Sequence, residues 1–115
     1  METKQAVAAL AAIAQDSRLA IFRLLVQSGP DGLIASKISE NLGIAPSSLS
    51  FHLKELTHAN MISVTQNGRF MIYVANFTTM NALLGFLTEN CCGGNPCSST
   101  SACTAAADTE AKASA

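Results

Sequence analysis

The spacing of apolar residues changes at position 60, and this change constrains the fold more than any other feature of the chain. Leu49, Leu53 and Leu56 recur at helical spacing within the stretch 46–60, so they form one apolar stripe along a helix. Residues 61–75 then change to a period of two, where Ile62 and Val64 alternate with polar side chains, which is typical of β-strands. The sequence therefore predicts a helix that is followed directly by a β-hairpin.

The turn of this hairpin is predicted at Asn67 and Gly68. A type I′ turn needs positive φ at both central positions, and the pair Asn-Gly adopts that conformation readily. Arg69 then lies at the hairpin tip, where its side chain can reach a phosphate or the minor groove of DNA. In isolation, a solvated charge in a turn is the simpler interpretation of Arg69.

Helical patterns before position 46 place this pair of elements in a larger order. Residues 36–42 predict a short helix that stops at Gly43, and only Gly43, Ile44 and Ala45 separate it from the helix 46–60. This is the spacing of a helix-turn-helix. With the hairpin added, the sequence predicts a mainly α fold with a β-hairpin, the winged helix-turn-helix.

A longer helix precedes the helix-turn-helix and ends near Ser28. Asp16 or Ser17 is expected to cap its N-terminus. Leu19 and Phe22 are among the side chains predicted on its buried face. This helix supplies apolar surface against which the helix-turn-helix can pack.

The helix 46–60 has an unusual outward face. Opposite the leucine stripe it carries Ser47, Ser50, Phe51, Lys54 and His58. Hydroxyls bond to several bases, and an apolar group can contact the methyl group of thymine, so this face suits the edges of base pairs. The alternative is the solvated face of an ordinary amphipathic helix.

The overall charge does not by itself favour a nucleic-acid partner, because the formal net charge is −1 at pH 7. The distribution of charge is more informative. Residues 17–77 carry five basic and three acidic side chains, while both flanks are net acidic. This is a weak electrostatic footprint for DNA, which a dimer would double.

The first and last predicted helices are expected to form a dimer surface. Residues 3–14 are rich in alanine, and residues 78–91 place Leu83, Leu87 and Cys91 on one apolar face. Because few other elements are available to cover these helices, a second copy of the chain is expected to do so. No apolar run is long enough to span a membrane, and no signal peptide is expected.

The length and composition divide the chain into two parts. Its 115 residues are enough for one domain, which we predict at residues 1–92. The remainder, residues 93–115, is rich in small and polar side chains and is predicted to be a flexible tail.

All four cysteines, Cys91, Cys92, Cys97 and Cys103, lie together near the C-terminus. This placement is typical of a ligand or redox cluster in a reducing compartment, and not of a disulfide framework. Thiolates select soft ions. Cys91 and Cys92, with Cys97 returned by the turn Gly-Gly-Asn-Pro, can supply the three thiolates that As(III) prefers. A four-thiolate zinc site, a redox-sensing thiol pair and an exposed tail without function are the alternatives.

Residues 16–75 resemble the ArsR–SmtB family of metalloregulatory repressors. The matching pieces are Ser17-Arg-Leu-Ala-Ile-Phe-Arg-Leu-Leu25, Ile38-Ser-Glu-Asn-Leu-Gly43, Ser50-Phe-His-Leu-Lys-Glu-Leu56, and Gly68-Arg69 followed by Tyr73. The resemblance implies a homodimeric cytoplasmic repressor, which is not an enzyme. Such a repressor binds an operator in double-stranded DNA and leaves it when a toxic metal or metalloid binds.

The chain departs from the two common inducer sites of that family. No Cys-x-Cys pair lies in residues 36–42, and residues 76–90 hold neither Asp nor His. Some members place an arsenic site in a Cys-Cys segment just after the last helix, and Asn90-Cys91-Cys92 resembles that arrangement. The resemblance therefore implies As(III) or Sb(III) as the inducer, with no organic cofactor. Cys103 is expected to be dispensable.

The candidate DNA-binding residues combine the helix face, the turn and the resemblance. They are Lys37, Ser47, Ser48, Ser50, Phe51, His52, Lys54 and Arg69. His52 flanks the leucine stripe, so a hydrogen-bonded histidine at the edge of the core is the alternative to a role at the DNA backbone. The operator is expected to be an inverted repeat.

Two other functions stay open from the sequence. The repressor could respond to another soft metal or to thiol oxidation. A small thiol redox enzyme is a more remote alternative, because no Cys-x-x-Cys follows a strand and no base or phosphate loop accompanies the thiols.

Overall fold

The computed structural model of the protein describes residues 1–94. Its elements are α1 (Thr3–Ile13), α2 (Asp16–Ser28), β1 (Leu33–Ile34), α3 (Ala35–Leu42), α4 (Pro46–His58), β2 (Ile62–Asn67), β3 (Phe70–Ala75) and α5 (Phe77–Leu87), with 3-10 turns at Gly29–Asp31 and Cys91–Gly94. This order confirms the predicted winged helix-turn-helix.

The chain divides into two compact units, residues 1–83 and the residues from 84 onward. Most of the predicted tail lies outside the described residues, so its flexibility and the domain boundary after residue 92 stay predictions. Among the helices of residues 1–94, none has the length and hydropathy needed to cross a bilayer.

The core of the first unit is formed where α2, α3 and α4 pack against one another and against the sheet. Its largest fully buried side chains are Ile21, Leu25, Ile38, Leu49, Leu56, Met61 and Ile62. Burying a side chain of this size contributes about 1.5–3 kcal/mol. Leu19, predicted to be buried, is 42% exposed, because the buried face of α2 is narrower than the apolar pattern suggested.

The helix α1 has two different apolar faces. Ala6, Ala9 and Ala12 are buried, because their small side chains let α1 approach its neighbours α2 and α4 closely. Val7 and Leu10 lie on the outer side, where they are 59% and 38% exposed. The first unit therefore leaves the larger apolar side chains of α1 uncovered.

The turn between α3 and α4 is fixed by local hydrogen bonds. Gly43 adopts the left-handed conformation with φ 65°, as its predicted role at the end of α3 requires. Its N–H and that of Ile44 both donate to the carbonyl of Ser39, and the Ser39 hydroxyl donates to the carbonyl of Ile44. These bonds hold α4 at a defined angle to α3.

The sheet is antiparallel, with strand order β1-β3-β2. Gly32, with φ 68°, precedes β1 and lies directly against β3. A Cβ atom at this position would overlap the carbonyl oxygen of Tyr73 and the side chain of Val74. Only glycine satisfies both the backbone conformation and this close approach.

The hairpin turn lies one residue later than predicted. Asn67 pairs with Phe70 as part of the ladder, so the central residues of the turn are Gly68 and Arg69. Gly68 has φ 64°, and Asn67 and Arg69 do not have positive φ, which is the pattern of a type II′ turn with glycine first. The predicted type I′ turn at Asn67-Gly68 is therefore wrong.

This register follows from burial at the base of the hairpin. Ile62 lies opposite Ala75, and both side chains are buried. A turn at Asn67-Gly68 would place Tyr73 opposite Ile62 in place of Ala75, so the packing of this buried pair overrides the local turn signal. Near the tip, Phe70 and Met71 remain 57% and 44% exposed.

Candidate nucleic-acid interface

The helix α4 is held by its apolar side. Leu49, Leu53 and Leu56 are at most 3% exposed, which confirms the predicted stripe. Pro46 occupies the first helical turn, where its missing N–H would have no intrahelical partner. The helix ends at His58, two residues earlier than predicted, and Asn60 then takes a left-handed conformation with φ 65°.

The opposite side of α4 is open to solvent. Its exposed side chains include those of Ser47, Ser48, Ser50, Phe51, Lys54 and His58, and the carboxylate of Glu55 is exposed on this side as well. Phe51 is 56% exposed, so this ring is not part of the core. An exposed aromatic ring among hydroxyl groups gives α4 both apolar and hydrogen-bonding contacts for base edges.

The N-terminus of α4 lacks a side-chain cap. Ala45 occupies the N-cap position in an extended conformation, and its side chain accepts no hydrogen bond. The N–H groups of the first turn of a helix have no intrahelical acceptor, and the helix dipole favours anions there. This end of α4 is therefore suited to contact a DNA phosphate, as helix N-termini commonly do.

The basic side chains among the candidate DNA-binding residues lie on three elements of the first unit. Lys37 on α3 forms a 3.7 Å ion pair with Glu40, and both side chains are more than half exposed. Such a surface pair contributes little stability, so Lys37 can exchange Glu40 for a phosphate. Lys54 on α4 and Arg69 at the hairpin tip are exposed.

His52 is half-buried on the flank of α4 and lies beside Arg18. The distance from Arg18 Nη1 to His52 Nδ1 is 3.5 Å, and Arg18 Nε donates to the carbonyl oxygen of Ala12 at 2.6 Å. The ring of His52 also meets that of Phe51 edge to face, with centroids 5.7 Å apart. The prediction of a hydrogen-bonded histidine at the edge of the core thus agrees with the structure.

Sequence reasoning did not single out Arg18. Its only signal was its place in the Ser17-Arg-Leu piece of the family resemblance. Its contacts are with Ala12 and His52, which lie 6 and 34 positions away along the chain, and no local pattern encodes them.

The predicted cap of α2 is wrong. The side chain of Gln15 accepts a hydrogen bond from the N–H of Arg18, so Gln15 is the N-cap, and neither Asp16 nor Ser17 has that role.

The last helix does not extend to Cys91 as predicted. It begins after Asn76, whose side chain accepts from the N–H of Thr79, and it ends at Leu87. The hydroxyl of Thr88 donates to the carbonyl of Leu84 at 2.9 Å, and Asn90 takes a left-handed conformation with φ 56°. Because a left-handed residue cannot continue an α-helix, the segment changes direction there.

Cys91 therefore opens a separate 3-10 turn, Cys91–Gly94. Its N–H donates to the carbonyl of Thr88 at 2.9 Å, and its side chain is half-buried. Cys97 and Cys103 lie outside the described residues, and so does the side chain of Cys92. Among residues 1–94, no three His, Cys, Asp or Glu side chains lie close enough to hold a metal ion. The cysteine triad stays a prediction.

Comparisons with known proteins match the part of the first unit that runs from the end of α1 into β2. Residues 13–65 match the family model of a helix-turn-helix domain. No curated protein matches the chain in sequence. An ArsR-like transcriptional regulator from Rhodococcus sp. RHA1 superposes with a TM-score of 0.66 and 21% identity, over 73% of this chain and 76% of that protein.

Two further solved structures have the same arrangement. HlyU from Vibrio cholerae N16961 has a TM-score of 0.62 and 26% identity, over 80% of this chain and 99% of HlyU. A homodimeric winged helix-turn-helix domain from Mycobacterium bovis, described as a possible ArsR-family transcriptional regulator, has a TM-score of 0.60 and 19% identity, over 80% and 85% of the two chains. The resemblance drawn from the sequence is confirmed at this level: the chain carries a helix-turn-helix domain and has the winged fold of ArsR-family transcriptional regulators.

Proposed function

We propose that the protein is a transcriptional repressor that binds operator DNA as a homodimer and leaves it when As(III) or Sb(III) binds cysteines near its C-terminus. The observation that carries the proposal is the two-sided character of α4. Its leucines are buried, while its serines, Phe51 and Lys54 are exposed beside an uncapped N-terminus. A helix that is fixed on one side and open on the other suits the major groove.

DNA binding is proposed to use two kinds of contact. Ser47, Ser50 and Phe51, near the N-terminal end of α4, would contact base edges and so select the sequence. Lys54 on α4 and Arg69 at the hairpin tip would contact the backbone, which adds affinity without sequence preference. Lys37, Ser48 and His52 complete the proposed DNA-binding set.

Dimerisation is proposed through α1 and α5. Val7 and Leu10 on α1 are exposed apolar side chains. In the second unit, Leu84 and Leu87 are 53% and 55% exposed. The related Mycobacterium bovis domain is homodimeric. A two-fold dimer would present two copies of α4 to half-sites about 34–36 Å apart, so the operator would be an inverted repeat.

The inducer is proposed to bind Cys91, Cys92 and Cys97. Soft thiolates favour thiophilic ions, and trivalent arsenic and antimony take three of them in a pyramid. Three residues separate Cys91 from the end of α5 at Leu87. An ion that draws Cys97 toward Cys91 and Cys92 would reorder the chain just after α5, which is one of the proposed dimer helices.

This arrangement would couple the two sites through the dimer. A change at the end of α5 alters how the protomers meet and therefore how far apart the two copies of α4 lie. A typical coupling of 1–3 kcal/mol lowers operator affinity by about 5–150-fold. Linkage requires reciprocity, so bound operator must weaken As(III) binding by the same factor.

The test is a release titration on a duplex that the parent protein selects from a random-sequence pool. The reduced protein–DNA complex is titrated separately with As(III), Sb(III), Zn(II), Cd(II) and hydrogen peroxide. Release at the lowest concentration by As(III) or Sb(III) supports the proposal. Release only by zinc or cadmium, or only by peroxide, would instead establish a soft-metal or a redox sensor.

Single serine variants test the ligand set. Cys91→Ser, Cys92→Ser and Cys97→Ser are expected to bind the duplex like the parent and to lose the response to As(III). Cys103→Ser is the matched control and is expected to respond normally. A Cys97→Ser protein that releases DNA at the parental As(III) concentration contradicts the proposed triad.

A further inference from the structure

Arg18 joins three helices of the first unit. It lies on α2, its Nε donates to the carbonyl oxygen of Ala12 at the end of α1, and its Nη1 lies 3.5 Å from His52 Nδ1 on α4. The carbonyls of the last turn of a helix have no intrahelical donor, and a cation is favourable there. Arg18 thus caps α1 while it reaches the helix proposed to read DNA.

The chemistry of the guanidinium decides which nitrogen of His52 carries the proton. Arginine has only donors and stays charged, so a ring nitrogen beside it must act as an acceptor. Nδ1 of His52 lies nearest the guanidinium, and a neutral ring that accepts there must carry its proton on Nε2. In this tautomer the ring has one N–H to offer another acceptor.

We infer that Arg18 is a positioning residue for DNA binding. It holds His52 as an Nε2–H donor for a phosphate oxygen of the DNA backbone, and it ties the position of α4 to the end of α1. This inference rests on the proposed function for DNA binding only, and it does not depend on the inducer. The edge-to-face contact with Phe51 further restricts how the His52 ring can turn.

The first experiment is a double-mutant cycle with Arg18→Met and His52→Phe, measured as affinity for the selected duplex. Each single variant is expected to bind about ten-fold more weakly, because each removes the same positioned donor. The double variant is expected to bind no more weakly than either single variant. Arg23→Met removes an equal charge from an exposed position on the same helix, and a change below about two-fold is expected.

The second experiment reads the tautomer directly, without DNA. The ¹⁵N shifts of the His52 ring in mildly alkaline buffer are expected to show a protonated Nε2 and an unprotonated Nδ1. In Arg18→Met, both tautomers are expected in exchange. If Arg18→Met does not fold, Arg18→Lys takes its place in both experiments, because lysine keeps the charge but cannot hold both partners in one plane.

The outcomes separate this inference from the proposed function. Losses that add in the double variant would mean that Arg18 only caps α1, and a protonated Nδ1 in the parent would mean that the contact does not set the tautomer. Either result overturns the inference and leaves DNA binding intact. A parent protein that selects no duplex overturns the proposed function, and the positioning role is overturned with it.

Discussion

The helix α4 and the hairpin β2–β3 are both proposed to face DNA, but the core holds them in different ways. Three leucines along the length of α4 are at most 3% exposed. In the hairpin only the base is buried, at Ile62 and Ala75, and five of the six residues of β2 are exposed. The packing of the core therefore fixes the whole of α4 but only one end of the hairpin.

From this difference we expect α4 to discriminate between bases and the hairpin to contact only the DNA backbone. Discrimination between bases needs donors and acceptors held in a fixed register, and a helix anchored along its length supplies that. A backbone contact from Arg69 tolerates movement of the hairpin tip, because phosphates recur along the duplex. Four experiments test this contrast, taken from the largest expected effect to the smallest.

The largest effect is expected from removing the anchor of α4. Leu56 is fully buried, so Leu56→Ala leaves a cavity in the core. The free energy of unfolding should therefore fall by about 2–5 kcal/mol. Met71→Ala in the hairpin, at a side chain that is 44% exposed, should change it by no more than about 0.5 kcal/mol. Denaturant unfolding measures both. Equal losses at the two positions would show that the hairpin is anchored as firmly as α4.

Base discrimination should be lost from α4 and not from the hairpin. Ser47→Ala and Phe51→Ala should each weaken binding to the selected duplex by about 1–3 kcal/mol and leave binding to a scrambled duplex unchanged. Arg69→Ala should weaken both duplexes alike and lower the salt slope by about one. The measurement is a set of binding titrations at several salt concentrations. If Arg69→Ala weakened binding to the selected duplex more than to the scrambled one, the hairpin would contribute to base recognition.

The hairpin turn is expected to depend on one glycine. Gly68 has φ 64° and open space around it, so Gly68→Ala meets no clash but forces an L-residue into a left-handed conformation. The cost should be about 1–2 kcal/mol of unfolding free energy. Gly85→Ala, in the interior of α5 with equally open surroundings, is the matched control and should instead stabilise. Similar results for the two would argue against the type II′ turn.

The smallest expected effect is a gain in stability from adding a cap at the start of α4. Ala45 already has the extended conformation of an N-cap, with φ −61° and ψ 143°, but offers no acceptor. Ala45→Ser should therefore stabilise the protein by about 1 kcal/mol, seen as a higher midpoint of thermal unfolding. Ala45→Val, which keeps an apolar side chain, should give no gain. An unchanged midpoint in Ala45→Ser would mean that the first turn of α4 is satisfied in another way.

Sequence reasoning succeeded where the determining contacts are local. The leucine stripe of α4 and the left-handed Gly43 that ends α3 both depend on residues within one or two turns of each other. Such features can be predicted from periodicity and from the conformational preferences of single residues. The existence of the hairpin was predictable in the same way.

Two of the errors arise from contacts between distant parts of the chain. The turn predicted at Asn67-Gly68 does not form, because the observed register buries Ile62 against Ala75. The exposure of Leu19 depends on how much of α2 its neighbouring elements cover. The early end of α5 is a different kind of error, because the left-handed Asn90 turns the chain locally, directly before Cys91. Apolar periodicity alone does not report any of these events.

The sequence by itself determined the order of helices and strands, the two faces of α4 and the type of domain, because the spacing of apolar residues and the turn residues encode them locally. Only the tertiary structure decided the register of the hairpin and the contact of Arg18 with Ala12 and His52. The physical reason is that burial and hydrogen bonding between segments far apart in the chain outweigh the conformational preferences of single turn residues. These contacts exist only once the segments have packed.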